Sequence, residues 1–353
     1  MKRFFLLSAC LFFLFQCQEN PNMSSDIQQS CDLETTFINV VDSLKWPKRN
    51  DMVLSNNCGY VGVGRLGSRP WIIKFDQEGR EVWSKIFEEI PIPQGNYSDG
   101  YQFASAIDNT NDGGYILCTA LSFNHPSYNS TGYIIKVDSL GQTEWFNELP
   151  SNRAYHGRDI IQTNEGDYIV VGNWYTSSAV TNEKSAFIVR YSESGSLIWI
   201  ERYEGECDED VFYSVIQKQD GGFILVGKFE HESSDYNCDF YGYTDLWFVN
   251  LDSDGRMLAE TKIGGSYWES AVDVIDLENG FYGVAGRKRH TRNKPVNAWF
   301  LKMDSNGNIQ SEWDEPDYVN NSGRADQLNN LVLSKRSTVI ALGARFDMPT
   351  DYM

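Results

Sequence analysis

The stretch that decides the fold is Tyr133-Ile-Ile-Lys-Val-Asp138-Ser-Leu-Gly141. An aromatic residue leads a short apolar alternation that ends in an Asp-x-x-Gly turn. Four relatives of it lie along the chain: Trp71-Ile-Ile-Lys-Phe-Asp76-Gln-Glu-Gly79, Phe187-Ile-Val-Arg-Tyr-Ser192-Glu-Ser-Gly195, Trp247-Phe-Val-Asn-Leu-Asp252-Ser-Asp-Gly255 and Trp299-Phe-Leu-Lys-Met-Asp304-Ser-Asn-Gly307. Asp suits the first turn position because its carboxylate can accept a backbone N–H two residues on; Gly suits the last because φ is often positive there. In three copies a tryptophan follows seven residues after the turn begins, at Trp83, Trp145 and Trp199.

A second motif interleaves with the first. Gly113-Gly114-Tyr115-Ile-Leu is matched by Gly166-Asp167-Tyr168-Ile-Val and Gly221-Gly222-Phe223-Ile-Leu, with weaker copies at Cys58-Gly59-Tyr60 and Asn279-Gly280-Phe281 and a degenerate one at Ser337-Thr338-Val339. The aromatic positions Tyr60, Tyr115, Tyr168, Phe223 and Phe281 are 55, 53, 55 and 58 residues apart. Each unit reads as four strands: one before the Gly turn, as in Asp159-Ile-Ile-Gln162 or Ser214-Val-Ile-Gln217, one after it, the aromatic-led third, and a fourth after Asp-x-x-Gly. Period-two alternation of β-branched and aromatic residues marks half-buried strands. Four-stranded units of this length are the size of propeller blades.

The chain ends bear on closure. After five units, Asn330-Leu-Val-Leu333 and Val339-Ile-Ala-Leu342 supply only a first and second strand. At the other end Thr35 to Trp46 is strand-like and precedes the first unit. The expectation is an all-β chain forming a single β-propeller over residues 33–353, with six blades and the last closed by N- and C-terminal strands. Seven blades would need a further unit.

Composition agrees. The 353 residues are 41% hydrophobic and 14% aromatic, and 29 glycines stand against 10 prolines, a mix suited to short strands and tight turns. With 49 acidic and 30 basic residues the net charge is -19. That balance excludes nucleic acid as a partner, since its recognition needs clustered Lys and Arg. No stretch after residue 15 is apolar for long enough to span a bilayer.

Met1-Lys2-Arg3 is a basic start, and FFLLSACLFFLF over residues 4–15 is apolar apart from Ser8. Twelve helical residues cover about 18 Å, too little for a hydrocarbon core of about 30 Å, so the segment reads as a secretory signal. Leu14-Phe15-Gln16-Cys17, followed by Gln18-Glu19-Asn20, resembles a bacterial lipoprotein signal, and the acidic residue after the cysteine resembles the outer-membrane type of Bacteroidetes. The resemblance implies cleavage after residue 16, diacylglycerol on Cys17, a polar tether over residues 17–32 and an exported, outer-membrane-anchored protein. Leu7-Ser8-Ala9-Cys10 is the alternative by residue type, but it would leave LFFLF in the mature chain. An ordinary cleaved signal, with Cys17 a bystander, is the other. Several acyl chains anchor firmly, at about 0.8 kcal/mol per buried methylene.

The units also resemble the propeller-repeat proteins of Bacteroidetes envelopes, and Asp76 to Trp83 and Asp138 to Trp145 resemble the quinoprotein-type repeat. This covers about residues 50–345 and implies fold and compartment. It implies no activity and no cofactor.

Chemistry-bearing motifs are sparse. Asp252-Ser-Asp254-Gly255 lacks the further oxygens of a calcium loop, so these turns read as structural. His125, His156, His231 and His290 fall in connections of different units and read as surface histidines without metal. No nucleophile with its base, phosphate loop or His-Glu-x-x-His motif is present, so no catalytic residue is assigned. An exported chain permits disulfides. Cys207 and Cys238 are the leading pair, closing a loop of about thirty residues for roughly 3 to 4 kcal/mol. Cys31 with Cys58 is a further candidate, and Cys118, in an apolar strand, reads as a buried free thiol.

One face should carry all second-to-third and fourth-to-first connections, and these are long and aromatic. They place Tyr97, Tyr101, Tyr155, Trp174, Tyr175, Tyr236, Tyr241, Tyr243, Tyr267 and Trp268 as candidate ligand contacts. Rings beside carboxylates and amides suit sugars or peptides. The alternative is that these rings plug loops and blade interfaces. The leading functional expectation is a lipid-anchored, non-catalytic binding scaffold for a glycan or an envelope protein. A periplasm-facing assembly factor and a glycan-active enzyme are the alternatives.

Overall fold

The computed structural model describes residues 51–55, 59–91, 101–122, 132–150, 154–175, 184–203, 210–231, 243–265, 267–289, 296–314, 324–333 and 339–347. All regular structure among them is β. Sheet one holds β1 (Asp51–Leu54), β2 (Tyr60–Leu66), β3 (Arg69–Phe75) and β4 (Glu81–Ile86). Sheet two holds β5 (Tyr101–Asn109), β6 (Tyr115–Ser122), β7 (Tyr133–Val137) and β8 (Thr143–Glu148). Sheet three holds β9 (Ala154–Gln162), β10 (Tyr168–Tyr175), β11 (Lys184–Tyr191) and β12 (Leu197–Tyr203). Sheet four holds β13 (Val211–Gln217), β14 (Phe223–His231), β15 (Tyr243–Leu251) and β16 (Met257–Ile263). Sheet five holds β17 (Glu269–Asp276), β18 (Phe281–Lys288), β19 (Asn297–Asp304) and β20 (Ile309–Asp314). A last, two-stranded sheet pairs β21 (Arg324–Leu333) with β22 (Val339–Asp347). Every four-stranded sheet is an antiparallel meander in chain order, as the four-strand reading of the repeat requires.

Successive sheets lie face on face. The first strand of each packs on the sheet before it: β5 on β2, β9 on β6, β13 on β10, β17 on β14 and β21 on β18. Apolar layers fill these gaps. Val61, Ile72, Leu117 and Ile135 lie between sheets one and two, while Ile116, Ile134, Val170 and Phe187 lie between two and three. A middle strand is therefore covered on both faces, which is why Tyr133–Val137 is buried along its whole length. The fourth strands are outermost, and their residues are largely exposed.

The turns take the conformations their residues suggest. Asp76 Oδ1 accepts the N–H groups of Glu78 at 3.0 Å and Arg80 at 2.8 Å, and Asp138, Asp252 and Asp304 repeat the arrangement. Where Ser192 replaces Asp, its hydroxyl accepts the Ser196 N–H at 3.1 Å. Among the described residues no group of His, Cys, Asp and Glu is arranged to hold a metal ion.

Two readings of the connections are corrected. Tyr155 and His156 lie within β9, and Trp174 and Tyr175 within β10, rather than in loops; ladder pairing from Ala154↔Tyr175 to His156↔Asn173 extends both strands past the sequence signal. His156 is accordingly buried, not a surface histidine. Cys118 is the buried free thiol expected. The strand-like segment Thr35 to Trp46, residues 1–50 as a whole, and Cys31, Cys58, Cys207, Cys238, His125 and His290 lie outside the described residues.

Candidate functional site

The two ends of the sheets differ in kind. At one end are the Gly turns and the Asp-x-x-Gly turns, whose carboxylates are consumed locally. Lys136, buried in β7, joins Asp112 at 2.7 Å and Glu144 at 2.9 Å. Arg190 joins Asp167 at 2.8 Å. At the other end lie the connections between second and third strands and between successive sheets.

The first strands run between these ends and carry part-buried carboxylates that tie sheet to sheet. Asp51 Oδ2 accepts the Ile107 N–H at 3.0 Å, Asp108 Oδ2 the Gln162 N–H at 2.9 Å, and Asp159 Oδ2 the Val215 N–H at 2.9 Å. The Ser214 hydroxyl donates to Asp273 Oδ1 at 2.9 Å. Each carboxylate also accepts the N–H of the residue after it. Asp51, Asp159 and Asp273 occupy one register position, opposite Val63, Val171 and Ala285. Burial is the main cause that raises Asp51, Asp108 and Asp159 above the usual carboxylate range, Asp108 to about 6; repulsion from Asp51 and Asp273 adds to the rise at Asp159. These groups hold the architecture. The sequence signal for them is an Asp inside an otherwise apolar strand, as in Asp159-Ile160-Ile161.

At the connecting end, the candidate contacts sort into three groups. Tyr155 and Trp174 are core residues: Tyr155 packs edge-on against Phe187 with ring centroids 5.0 Å apart, and the Arg202 Nε–H donates to its hydroxyl. Burial removes both rings from any open surface, and they pack in the apolar layer between sheets two and three. Tyr97, Tyr236 and Tyr241 lie outside the described residues, as do the side chains of Tyr101, Tyr175 and Tyr243, whose backbones lie in β5, β10 and β15. Tyr267 and Trp268 remain at the surface. Tyr267 is half-buried, and Trp268 is 46% exposed.

Trp268 is held where sheets four and five meet. Its carbonyl accepts the Arg289 N–H at 2.9 Å, and it bridges in parallel to Thr244 at the start of β15. The Thr244 hydroxyl donates to the next carbonyl, that of Glu269, at 2.9 Å. The Arg289 guanidinium stands 5.6 Å from the indole centroid. Sequence reading found the ring but not its cation, because Arg289 lies 21 positions away, just after β18.

Asp210 is the other residue the sequence did not single out. It is fully buried just before β13. Its Oδ1 accepts the Glu230 N–H at 2.8 Å, while its Oδ2 has no partner. Burial first, and the Glu230 charge with it, push its carboxyl up to about 7, against the opposing pull of Lys262 and Lys228. On the outer side, between sheets two and three, an open groove of about 410 Å³ is lined by Leu149, Pro150, Tyr191, Leu197 and Arg202.

No family model matches the chain, and no curated protein matches it. Among solved structures it is similar to cobalt-substituted apocarotenoid oxygenase of Synechocystis, at 11% identity and a TM-score of 0.44, over 76% of this chain and 62% of that one. A chimera of that oxygenase with RPE65 gives 10% and 0.45 over the same shares. A eukaryotic initiation factor gives 9% and 0.36, over 75% of this chain and 54% of that one. The chain thus spans about 62% of the length of the oxygenase chains it resembles.

Proposed function

We propose that this chain is a lipid-anchored binding scaffold of the cell envelope, built as a closed six-bladed propeller that offers its connecting end to a glycan or protein ligand. Five four-stranded sheets and one two-stranded sheet support the blade count, and the strand-like segment Thr35 to Trp46 supplies material to complete the sixth. Trp313, 50% exposed on β20, and the partly buried Val272, Ile275 and Phe300 belong to sheet five, against which β21 packs. The anchor is the acylated Cys17, and its compartment is the outer membrane.

The observation that carries the binding reading is Trp268. Large apolar rings are normally covered, and a tryptophan with nearly half its surface open, at the end where the connections gather, is what a ligand contact requires. Glycan arrays and peptide libraries probed with the detergent-solubilised full-length chain test this. Loss of the detected ligand in Trp268→Ala is expected; a ligand bound equally well by that variant would place the contact elsewhere. Metabolic labelling with a palmitate analogue tests the anchor: wild type should be labelled and Cys17→Ser should not.

The glycan-active alternative has one observation behind it. Asp210, protonated near neutral pH, has the ionisation a general acid needs, with Glu230 beside it. Release of reducing ends from polysaccharide by wild type and not by Asp210→Asn would favour it over simple binding.

A further inference from the structure

We infer that the exposed Trp268 and the Arg289 beside it form an acidic-sugar subsite, recognising a hexuronate residue within a polysaccharide; the inference rests on the binding reading above and deepens it.

The charge distribution is the first reason. The chain is strongly acidic, yet residues 287–294 read Arg-Lys-Arg-His-Thr-Arg-Asn-Lys, five of its 30 basic residues within eight positions. Within the described part of that run the cations are not equivalent. Lys288 is consumed by Glu312 at 2.8 Å and Asp314 at 3.4 Å. Arg289 has no ion pair among the described residues, and its Nε has no hydrogen-bond partner. Among the described residues no carboxylate meets this guanidinium, and its charge can serve an anionic ligand. Its planar fork favours a carboxylate held by two parallel bonds.

Geometry is the second reason. At 5.6 Å from the centroid the guanidinium lies within cation–π range of the indole, and the ring still keeps 46% of its surface exposed. Both residues are fixed by backbone pairing, through the Arg289 N–H to the Trp268 carbonyl and the bridge from Trp268 to Thr244. A ring and a cation carried on backbones paired this closely favour a ligand whose apolar face and carboxylate are rigidly joined. A hexuronate meets that condition, with its carboxylate on the same pyranose whose C–H face can cover the indole. The carboxylates of an acidic peptide end flexible side chains, and ordering them would cost entropy that the sugar does not lose.

The test uses the detergent-solubilised full-length chain, with polygalacturonate as probe and dextran, poly-glutamate and glycerol phosphate, the soluble analogue of a lipid headgroup, as comparisons. Wild type should bind polygalacturonate and none of the other three. Trp268→Ala and Arg289→Ala should each weaken binding at least tenfold, and Arg289→Lys should recover only part of it, since a point charge replaces a fork. Raising the salt concentration should weaken wild-type binding and leave the residual binding of Arg289→Ala almost unchanged. Absence of wild-type binding to polygalacturonate would overturn the inference, as would equal binding of poly-glutamate or glycerol phosphate, or an Arg289→Ala variant that binds normally. A neutral ligand that depends on Trp268 but not on Arg289 would overturn the acidic-sugar assignment and leave the binding face intact. Matching circular dichroism spectra and unfolding midpoints would show that the variants are folded.

Discussion

Trp83, on the outer strand of sheet one, lies against Gly141 in the Asp-x-x-Gly turn of sheet two, so close that a Cβ on that glycine would come within 2.7 Å of the indole. Trp145 covers Gly195 and Trp199 covers Gly255 in the same way, each Cβ position 2.9 Å from the ring. The tryptophan that recurs seven residues after a turn is therefore a contact between neighbouring units, and the glycine it meets belongs to the next copy of the motif. Gly141 also has φ +79°. Gly141→Ala should cost about 2–5 kcal/mol, the sum of left-handed strain and overpacking. Gly113 has φ +86° with nothing within 4 Å, so Gly113→Ala should cost only about 1–2 kcal/mol. Denaturant unfolding of the two variants checks the difference, and equal costs would contradict the Trp83 contact.

Trp174 and Trp268 are both candidate ligand contacts by sequence, and their stabilities should separate them. Trp174 is buried among Tyr155, Phe187 and Val189, so Trp174→Ala should cost about 3–5 kcal/mol. Trp268→Ala should cost less than about 1 kcal/mol, because nearly half of its surface is already in water. A large loss from Trp268→Ala would mean that the ring supports the fold rather than a ligand.

The contrast between those two rings marks what sequence could reach. Strands and turns were legible because each obeys a local rule, such as alternation along Tyr133–Val137 or an Asp that bonds the N–H groups just after it. Tyr155 and Trp174 were misplaced because β9 and β10 continue past their apolar runs, held by ladder pairing between Ala154 and Tyr175 that no local pattern announces. The carboxylates of Asp51, Asp108 and Asp159 were missed for a related reason: each partner lies 54 to 56 residues away, in the next unit. Arg289 escaped notice because only the approach of β17 and β18 sets it beside Trp268.

Cys118 should be inert in the folded protein. Burial pushes its thiol up to about 12, and the nearby carboxylates of Asp159 and Asp51 add to the rise. Only the thiolate reacts quickly. Iodoacetamide at pH 8 should leave the Cys118 peptide unmodified in native protein and alkylate it fully in denaturant, as read by mass spectrometry. Rapid native alkylation would show that the layer between sheets two and three opens readily.

Asp108 should make the protein more stable as neutral solution is mildly acidified. Its folded carboxyl titrates at about 6, above its ordinary value of 3.8. The cost of the buried charge is present in full above about pH 6, falls between 6 and 3.8, and is gone below. Asp76 and Asp112, lowered by hydrogen bonds and a neighbouring cation, and Asp304, lowered by hydrogen bonds alone, act oppositely but only below 3.8. Between pH 7 and 4.5 the part-buried Asp108 should contribute a gain of about 1–2 kcal/mol, reduced from the full shift by solvent screening. Asp108→Asn should flatten this rise, because the amide carries no charge to desolvate. An unchanged slope would remove Asp108 from the account.

Asp210 offers a sharper form of the same argument, because it is fully buried and one of its oxygens has no partner. Its folded carboxyl titrates at about 7, so the penalty is complete above pH 7 and disappears as the solution approaches 3.8. Asn in its place keeps an acceptor for the Glu230 N–H and carries no charge. At pH 8.5 Asp210→Asn should be more stable than wild type by about 2–4 kcal/mol, the size expected for a raise of this order. Near pH 4 the advantage should vanish or reverse, since the neutral carboxyl and the amide then differ only in hydrogen bonding. The two stability curves should therefore converge on acidification. A constant offset between pH 4 and 8.5 would mean that Asp210 titrates at its ordinary value, and would remove the basis for any acid catalysis at this residue.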